Sequence, residues 1–245
     1  TGLSTCAVRA SDGTPHCFCS STSPLKTDVP VGGGFMSVTN GNSHGCALHA
    51  SGAYECWGAG TGDPGIVPTD GSVPATATFI GASYASSGWS GGNTVLETGT
   101  GLAYAWGDDT DGQLTIPTPK KPYSVVGTHY THTCAILASD ASIECWGNGA
   151  GTNVPTNTPT GGYSAVTVGM LFTCALETLT SYARCWGWNG KGATNVPTPQ
   201  VAYSDIYAGF YHVCAIKLDT KELQCWGDNE GGQLNHPSGI FGLPP

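Results

Sequence analysis

The chain has 245 residues, a formal net charge of −9 and only 8 Lys and Arg together, so it lacks the basic footprint needed to neutralise nucleic-acid phosphates or to hold an anionic membrane surface. No apolar run approaches the ~20 residues of a membrane span, which argues against membrane insertion. Eleven cysteines occur without any C-x-x-C pair; this spacing disfavours a structural zinc site and favours an oxidising compartment. The 37 glycines and 16 prolines, with abundant Ser and Thr, predict short strands joined by tight turns. Thr1 reads as the start of a mature, processed chain, and we expect a secreted, extracellular protein without a cofactor.

In chain order, one module recurs six times at a period of about 40 residues. Its anchors are Cys6, Cys46, Val95, Cys134, Cys174 and Cys214, with intervals of 40, 49, 39, 40 and 40. The first module carries Cys17-Phe18-Cys19 at its end. The second runs from Phe35 to Cys56-Trp57-Gly58. The third, with Val95 and Tyr104-Ala105-Trp106-Gly107, lacks both cysteines and is preceded by a ten-residue insertion. The fourth, fifth and sixth start at Tyr123, Tyr163 and Tyr203 and end in Cys145-Trp146-Gly147, Cys185-Trp186-Gly187 and Cys225-Trp226-Gly227.

Each module reads as three strands. The first starts at the aromatic residue, the second is Cys-Ala-aliphatic, and the third ends in Cys-Trp-Gly. A fourth segment carries Pro68, Pro117, Pro155 or Pro197 and is an outer edge or a loop, because proline cannot donate to a central ladder. These features predict an all-β, six-bladed β-propeller with three- to four-stranded blades, forming one domain over residues 1–245. The 19 residues after Trp226 and the six up to Cys6 together make nearly one connection. The two termini are therefore expected to share a blade and close the ring, with Ile240 near the aromatic slot.

Strands two and three form a hairpin, which places the paired cysteines opposite each other. The expected bridges are Cys6–Cys17, Cys46–Cys56, Cys134–Cys145, Cys174–Cys185 and Cys214–Cys225. Val95 and Ala105 replace both members of the missing pair, and Cys19 is left as a free or intermolecular thiol.

"HTCAI…IECWGN" and "HVCAI…LQCWGDNEGGQL" resemble the regulator of chromosome condensation repeat in its cysteine-containing, secreted form. "WGDDTDGQLTIP" at 106–117 is also similar to the β-lactamase inhibitory protein II type of short-repeat propeller. The resemblance covers nearly the whole chain and implies a propeller.

Several motifs carry candidate chemistry. Gly88-Trp89-Ser90-Gly91-Gly92 fits the G-x-S-x-G pattern, but a strand-like segment follows it where a nucleophile elbow needs a helix. His44, His132 and His212 share one slot, two residues before the anchor, which points to packing within each blade. Asp108, Asp109 and Asp111, like Asp228, Asn229 and Glu230, read as turn chemistry or as oxygen ligands for calcium. The periodic tryptophans Trp57, Trp106, Trp146, Trp186 and Trp226 read as packing between blades.

The residues that break the period are more informative. The turns between strands one and two, and the loops after Cys-Trp-Gly, should share one face. That face collects Trp89, His129, Tyr130, Met170, Leu171, Trp188, Phe210 and Tyr211, while the opposite hairpin tips read small and polar. Large apolar groups on turns mark either an interaction surface or an inward-folded plug. The leading expectation is a secreted, non-enzymatic binding protein for an extracellular protein or glycan, including an inhibitor as one form. The rivals are a subunit of an extracellular coat or filament, and a hydrolase or lyase centred on the channel.

Overall fold

The computed structural model describes residues 5–9, 12–18, 29–40, 44–58, 79–87, 90–107, 109–154, 160–232 and 234–235. Its strands in chain order are β1 (Thr5–Val8), β2 (Pro15–Phe18), β3 (Phe35–Asn40), β4 (His44–His49), β5 (Tyr54–Gly58), β6 (Phe79–Ser87), β7 (Ser90–Glu97), β8 (Ala103–Gly107), β9 (Tyr123–His129), β10 (His132–Leu137), β11 (Ile143–Gly147), β12 (Tyr163–Val168), β13 (Phe172–Glu177), β14 (Ala183–Gly187), β15 (Tyr203–Ala208), β16 (His212–Lys217) and β17 (Leu223–Gly227). One short 3₁₀ turn, Ala150–Thr152, is the helical element among the described residues. All pairing is antiparallel. One sheet has two strands, β1-β2, and five have three: β3-β4-β5, β6-β7-β8, β9-β10-β11, β12-β13-β14 and β15-β16-β17. The proline segments at 116–121 and 196–202 lie outside the sheets, as the missing N–H donor requires.

The chain divides into two compact units, residues 1–110 with 114–121, and residues 111–113 with 122–245. The first unit holds the three sheets of β1–β8. Its module two is stapled by Cys46–Cys56, and Cys6 and Cys17 are backbone partners across β1 and β2. The side chains of Cys6 and Cys17, and Cys19 altogether, lie outside the described residues. Phe35, Ala47 and Trp57 form a small core with Val8, Val29 and Val38 against them.

Two sequence readings change in module three. Trp106 pairs with Asn93, and Thr94 pairs with Ala105, whereas Val95 faces Tyr104. In module four the equivalent pairs are Trp146 with Thr133 and Cys145 with Cys134. The anchor of module three is therefore Thr94, not Val95. The insertion also divides. β6 and β7 keep pairing as far as Ser87 and Ser90, so part of the extra length extends that hairpin. Ser90 begins a strand that pairs straight back on β6. The described part of the G-x-S-x-G segment, Ser90-Gly91-Gly92, is thus strand, with no helix after the serine as a nucleophile elbow needs; Gly88 and Trp89 lie outside the described residues.

The second unit shows why the period is maintained. Cys134–Cys145, Cys174–Cys185 and Cys214–Cys225 each join direct partners across a hairpin. Modules four and five share a core of Ile136, Tyr163, Val166, Ala175 and Trp186. Modules five and six share one of Phe172, Leu176, Tyr203, Ile206, Val213 and Trp226. Two of the motif tryptophans also make a polar contact with the module before them, whereas the buried Trp146 Nε1 has no partner among the described residues. Trp226 Nε1 donates to Ala193 O at 2.9 Å, and Trp186 Nε1 donates to Gly151 O at 2.8 Å. A phenylalanine would fill the same space but leave those buried carbonyls without that donor.

Candidate functional site

The glycine of Cys-Trp-Gly builds the face that carries the non-periodic aromatics. Gly147, Gly187 and Gly227 have φ of 96°, 106° and 103°. A Cβ at each would stand 2.5 Å from a backbone carbonyl, that of Thr131, Leu171 and Tyr211 respectively. Those carbonyls are occupied in each case by the N–H of the next residue. Asn148 N donates to Thr131 O, Trp188 N to Leu171 O and Asp228 N to Tyr211 O, at 2.7–2.9 Å. Each loop after Cys-Trp-Gly is therefore clamped to the first turn of its own module, as the strand directions predict.

On this frame the sequence-predicted residues of the second unit come together. His129 meets Phe210 edge-to-face at a centroid distance of 4.9 Å, and Tyr130 lies 6.4 Å from the same ring. Phe210 contacts Tyr211 at 6.1 Å, and Tyr211 contacts Trp188 at 5.4 Å. Met170 N donates to Phe210 O at 3.1 Å, tying the fifth turn to the sixth. Leu171, at φ 135°, lies against Gly149. Phe210 thus reaches across module five to His129 of module four. Most of these side chains are half-buried against one another, and Trp188 is 38% exposed. The indole of Trp188 lies over Gly190, where a Cβ would come within 2.0 Å of it, so the ring is held flat against its own loop. Trp89 lies outside the described residues.

The histidines of the shared slot are not equivalent. His132 is fully buried and points toward the following connection. Its Nε2 is 2.9 Å from Thr173 Oγ1, and its ring fills the space beside Gly151. The half-buried His212 instead lies over Gly209 of its own turn, as Phe172 lies over Gly169. Module four has His129 where the others have that glycine, so its turn has no room for a ring and His132 is directed away. The side chain of His44 lies outside the described residues. Burial pushes the pKa of His129 down to about 4, and burial together with the neighbouring His129 does the same to His132. Burial also lowers His212, against the opposing pull of Asp228.

The acidic loops are used for local structure. Asp109 accepts from Leu114 N and Thr115 Oγ1, both at 2.6 Å. Asn229 accepts from Leu234 N at 2.9 Å, and Lys191 bridges Asp228 and Glu230. Asp108 is not among the described residues. No group of three or more potential metal ligands exists among the described residues, and no described helix is long and apolar enough to cross a membrane.

Sequence reasoning missed exposed apolar groups elsewhere. Leu179 (70% exposed) and the partly exposed Tyr182 and Leu218 lie at the hairpin tips of modules five and six, so the tips are small and polar only in the earlier modules. Tyr207, 58% exposed, occupies the slot held by Gly127 and Thr167 in the preceding modules. Aligning the modules position by position would have revealed it.

Residues 203–233 match the regulator of chromosome condensation (RCC1) repeat. No curated protein matches the sequence. Among solved structures, the chain is similar to the ectodomain of the Physcomitrella patens receptor kinase CR4, with a TM-score of 0.75 and 21% identity, covering 94% of this chain and 62% of that one. It is also similar to the CRINKLY WD40 ectodomain of the Arabidopsis thaliana receptor kinase ACR4 (TM-score 0.57, 21% identity, 92% and 91% covered). A third is yeast RCC1 (Prp20) in complex with Kap60 (TM-score 0.67, 13% identity, 94% and 69% covered). The chain spans about three fifths of the moss ectodomain. At these identities the likeness concerns the fold: an all-β array of propeller-type modules, with an RCC1 repeat at residues 203–233.

Proposed function

We propose that this chain is an extracellular, non-enzymatic binding protein that engages a protein partner through the aromatic turns of modules four to six. The observation that carries the reading is the convergence of His129, Tyr130, Phe210, Tyr211 and Trp188, contributed by three modules, into one continuous aromatic patch. Tyr and Trp supply large contact area at low entropic cost and are enriched at energetically dominant interface positions. The extracellular assignment rests on the four bridges, since disulfides persist in oxidising compartments. Receptor ectodomains and a Kap60-bound RCC1 among the similar folds support binding over catalysis.

In this reading all six modules form one ring over residues 1–245. The residues after Gly227 complete the two-stranded first sheet, and Cys6–Cys17 is its staple. The experiment is affinity capture on the immobilised full chain from the fluid into which it is secreted, beside a Phe210→Ala/Tyr211→Ala variant. The parent should retain a protein that the variant loses at least tenfold. Equal retention removes this face, and retention of a released glycan in place of protein redirects the assignment to carbohydrate.

A further inference from the structure

We propose that the aromatic cluster of modules four to six is an acid-operated gate. His129 and His132 hold Phe210 and Tyr211 in the closed arrangement only while both imidazoles are uncharged, and proton uptake parts the turns. The statement that parting alters partner access rests on the binding reading above; the parting itself does not.

The two imidazoles are cross-strand partners at the end of the β9-β10 hairpin. His129 lies edge-on against Phe210, and its Nδ1 is enclosed without a hydrogen-bond partner among the described residues. His132 is fully buried, with Thr173 Oγ1 at Nε2 and Thr131 Oγ1 3.3 Å from Nδ1. The titratable groups around them are few. Tyr130 belongs to their own turn. The β15-β16 turn brings Tyr211 and His212, and Asp228 behind it acts on His212. The turn at Gly169–Leu171 and the Ala150–Thr152 turn bring none. Among the described residues no carboxylate acts on His129 or His132, and each imidazolium would repel the other. A charge on the fully buried His132 is unsolvated, and one on the partly buried His129 sits against the edge of Phe210 with its Nδ1 enclosed; separation of the Phe210 turn is the route by which water reaches that nitrogen.

The sign follows from the depressed values. A base whose pKa is about 4 in the closed arrangement and 6.5 when hydrated favours closure fully above pH 6.5. That preference declines as pH falls below 6.5 and is gone below about 4. At pH 5 each imidazole should shift the closed-to-open ratio roughly 30-fold toward open. The bridges Cys134–Cys145, Cys174–Cys185 and Cys214–Cys225 lie within modules, so they retain the hairpins while the turns separate.

The test is an acid titration of the oxidised full chain without any partner. Histidine Cε1–H resonances report protonation, near-ultraviolet circular dichroism reports the Trp188–Tyr211 and Phe210 contacts, and the far-ultraviolet signal reports the strands. We expect a near-ultraviolet transition between pH 6.5 and 4 with far-ultraviolet signal unchanged, and two histidines protonating within it. His129→Phe/His132→Gln, which keeps a ring and a hydrogen-bonding side chain, should move that transition below pH 4. Three outcomes would overturn the gate: imidazoles titrating near 6.5 with the aromatic signal constant, a double variant with the parental midpoint, or simultaneous loss of the strand signal. Because no partner is present, failure of the Phe210→Ala/Tyr211→Ala capture experiment would remove the binding surface and leave this transition intact.

Discussion

Module three offers a direct test of the register, because its missing bridge can be restored. Thr94 and Ala105 face each other as Cys134 and Cys145 do. The described bridges link positions whose Cα atoms are 3.9–4.1 Å apart. Thr94 is fully buried and its hydroxyl has no partner among the described residues, so replacing it also removes an orphaned polar group. Thr94→Cys/Ala105→Cys should oxidise spontaneously. Closing a loop of about twelve residues contributes about 3 kcal/mol in the chain-entropy picture, and loss of the orphaned hydroxyl adds up to about 1 kcal/mol. The midpoint of thermal unfolding should rise by about 6–16 °C for a chain of this size. Thiol titration and non-reducing peptide mapping detect the bridge, and melting with and without reductant measures its effect. Val95→Cys/Ala105→Cys, the pair that spacing alone selects, should stay reduced. The reasoning fails if the Val95 pair oxidises and the Thr94 pair does not.

Other expectations concern the frame. Gly187→Ala adds a Cβ 2.5 Å from Leu171 O at a φ of 106°, whereas Gly99→Ala meets nothing within 4 Å at a φ of 86°. The first should cost about 3–5 kcal/mol and the second about 1–2 kcal/mol by urea denaturation. Trp226→Phe should cost about 1–3 kcal/mol beyond lost packing, because Ala193 O loses a buried donor. Trp186→Phe should cost less, since Gly151 O still accepts from Thr173 Oγ1 at 3.0 Å. Removing one bridge as Cys174→Ala/Cys185→Ala should cost about 2–3 kcal/mol in the same assay.

Much of the fold was legible because each periodic residue keeps one role through modules four to six. The leading aromatic starts a strand, the cysteines oppose each other, the tryptophan packs on the preceding module and the glycine takes a conformation that a Cβ would block. Module three was misread for a physical reason. The hairpin tip is one residue shorter in module two than in modules four to six, so cysteine-to-tryptophan spacings of eleven and twelve both occur in the chain. Val95 fits the first spacing and Thr94 the second, and only strand pairing decides between them. Strand direction also sends the aromatic turns of modules four to six to one side, where their rings meet, while Trp89 lies outside the described residues. Their contacts were not legible, because whether Phe210 reaches His129 depends on how three modules stack.

The histidine slot shows how a single neighbouring residue can undo an apparent equivalence, and it carries a last prediction. Five residues before the anchor, modules five and six have Gly169 and Gly209, and module four has His129. A Cβ on Gly169 would stand 2.1 Å from the ring of Phe172, and one on Gly209 would stand 2.3 Å from the ring of His212. The clashes are nearly equal, but the rings differ in freedom. Phe172 is completely buried in the core shared by modules five and six, so it cannot swing away without opening a cavity. His212 is half-buried at the edge of the turn and can rotate toward solvent. Gly169→Ala should therefore cost about 3 kcal/mol or more, and Gly209→Ala about 1 kcal/mol, by denaturant titration of the oxidised chain. Near-equal costs would mean that the two rings are held alike, and that the glycine does not decide which way the slot residue points.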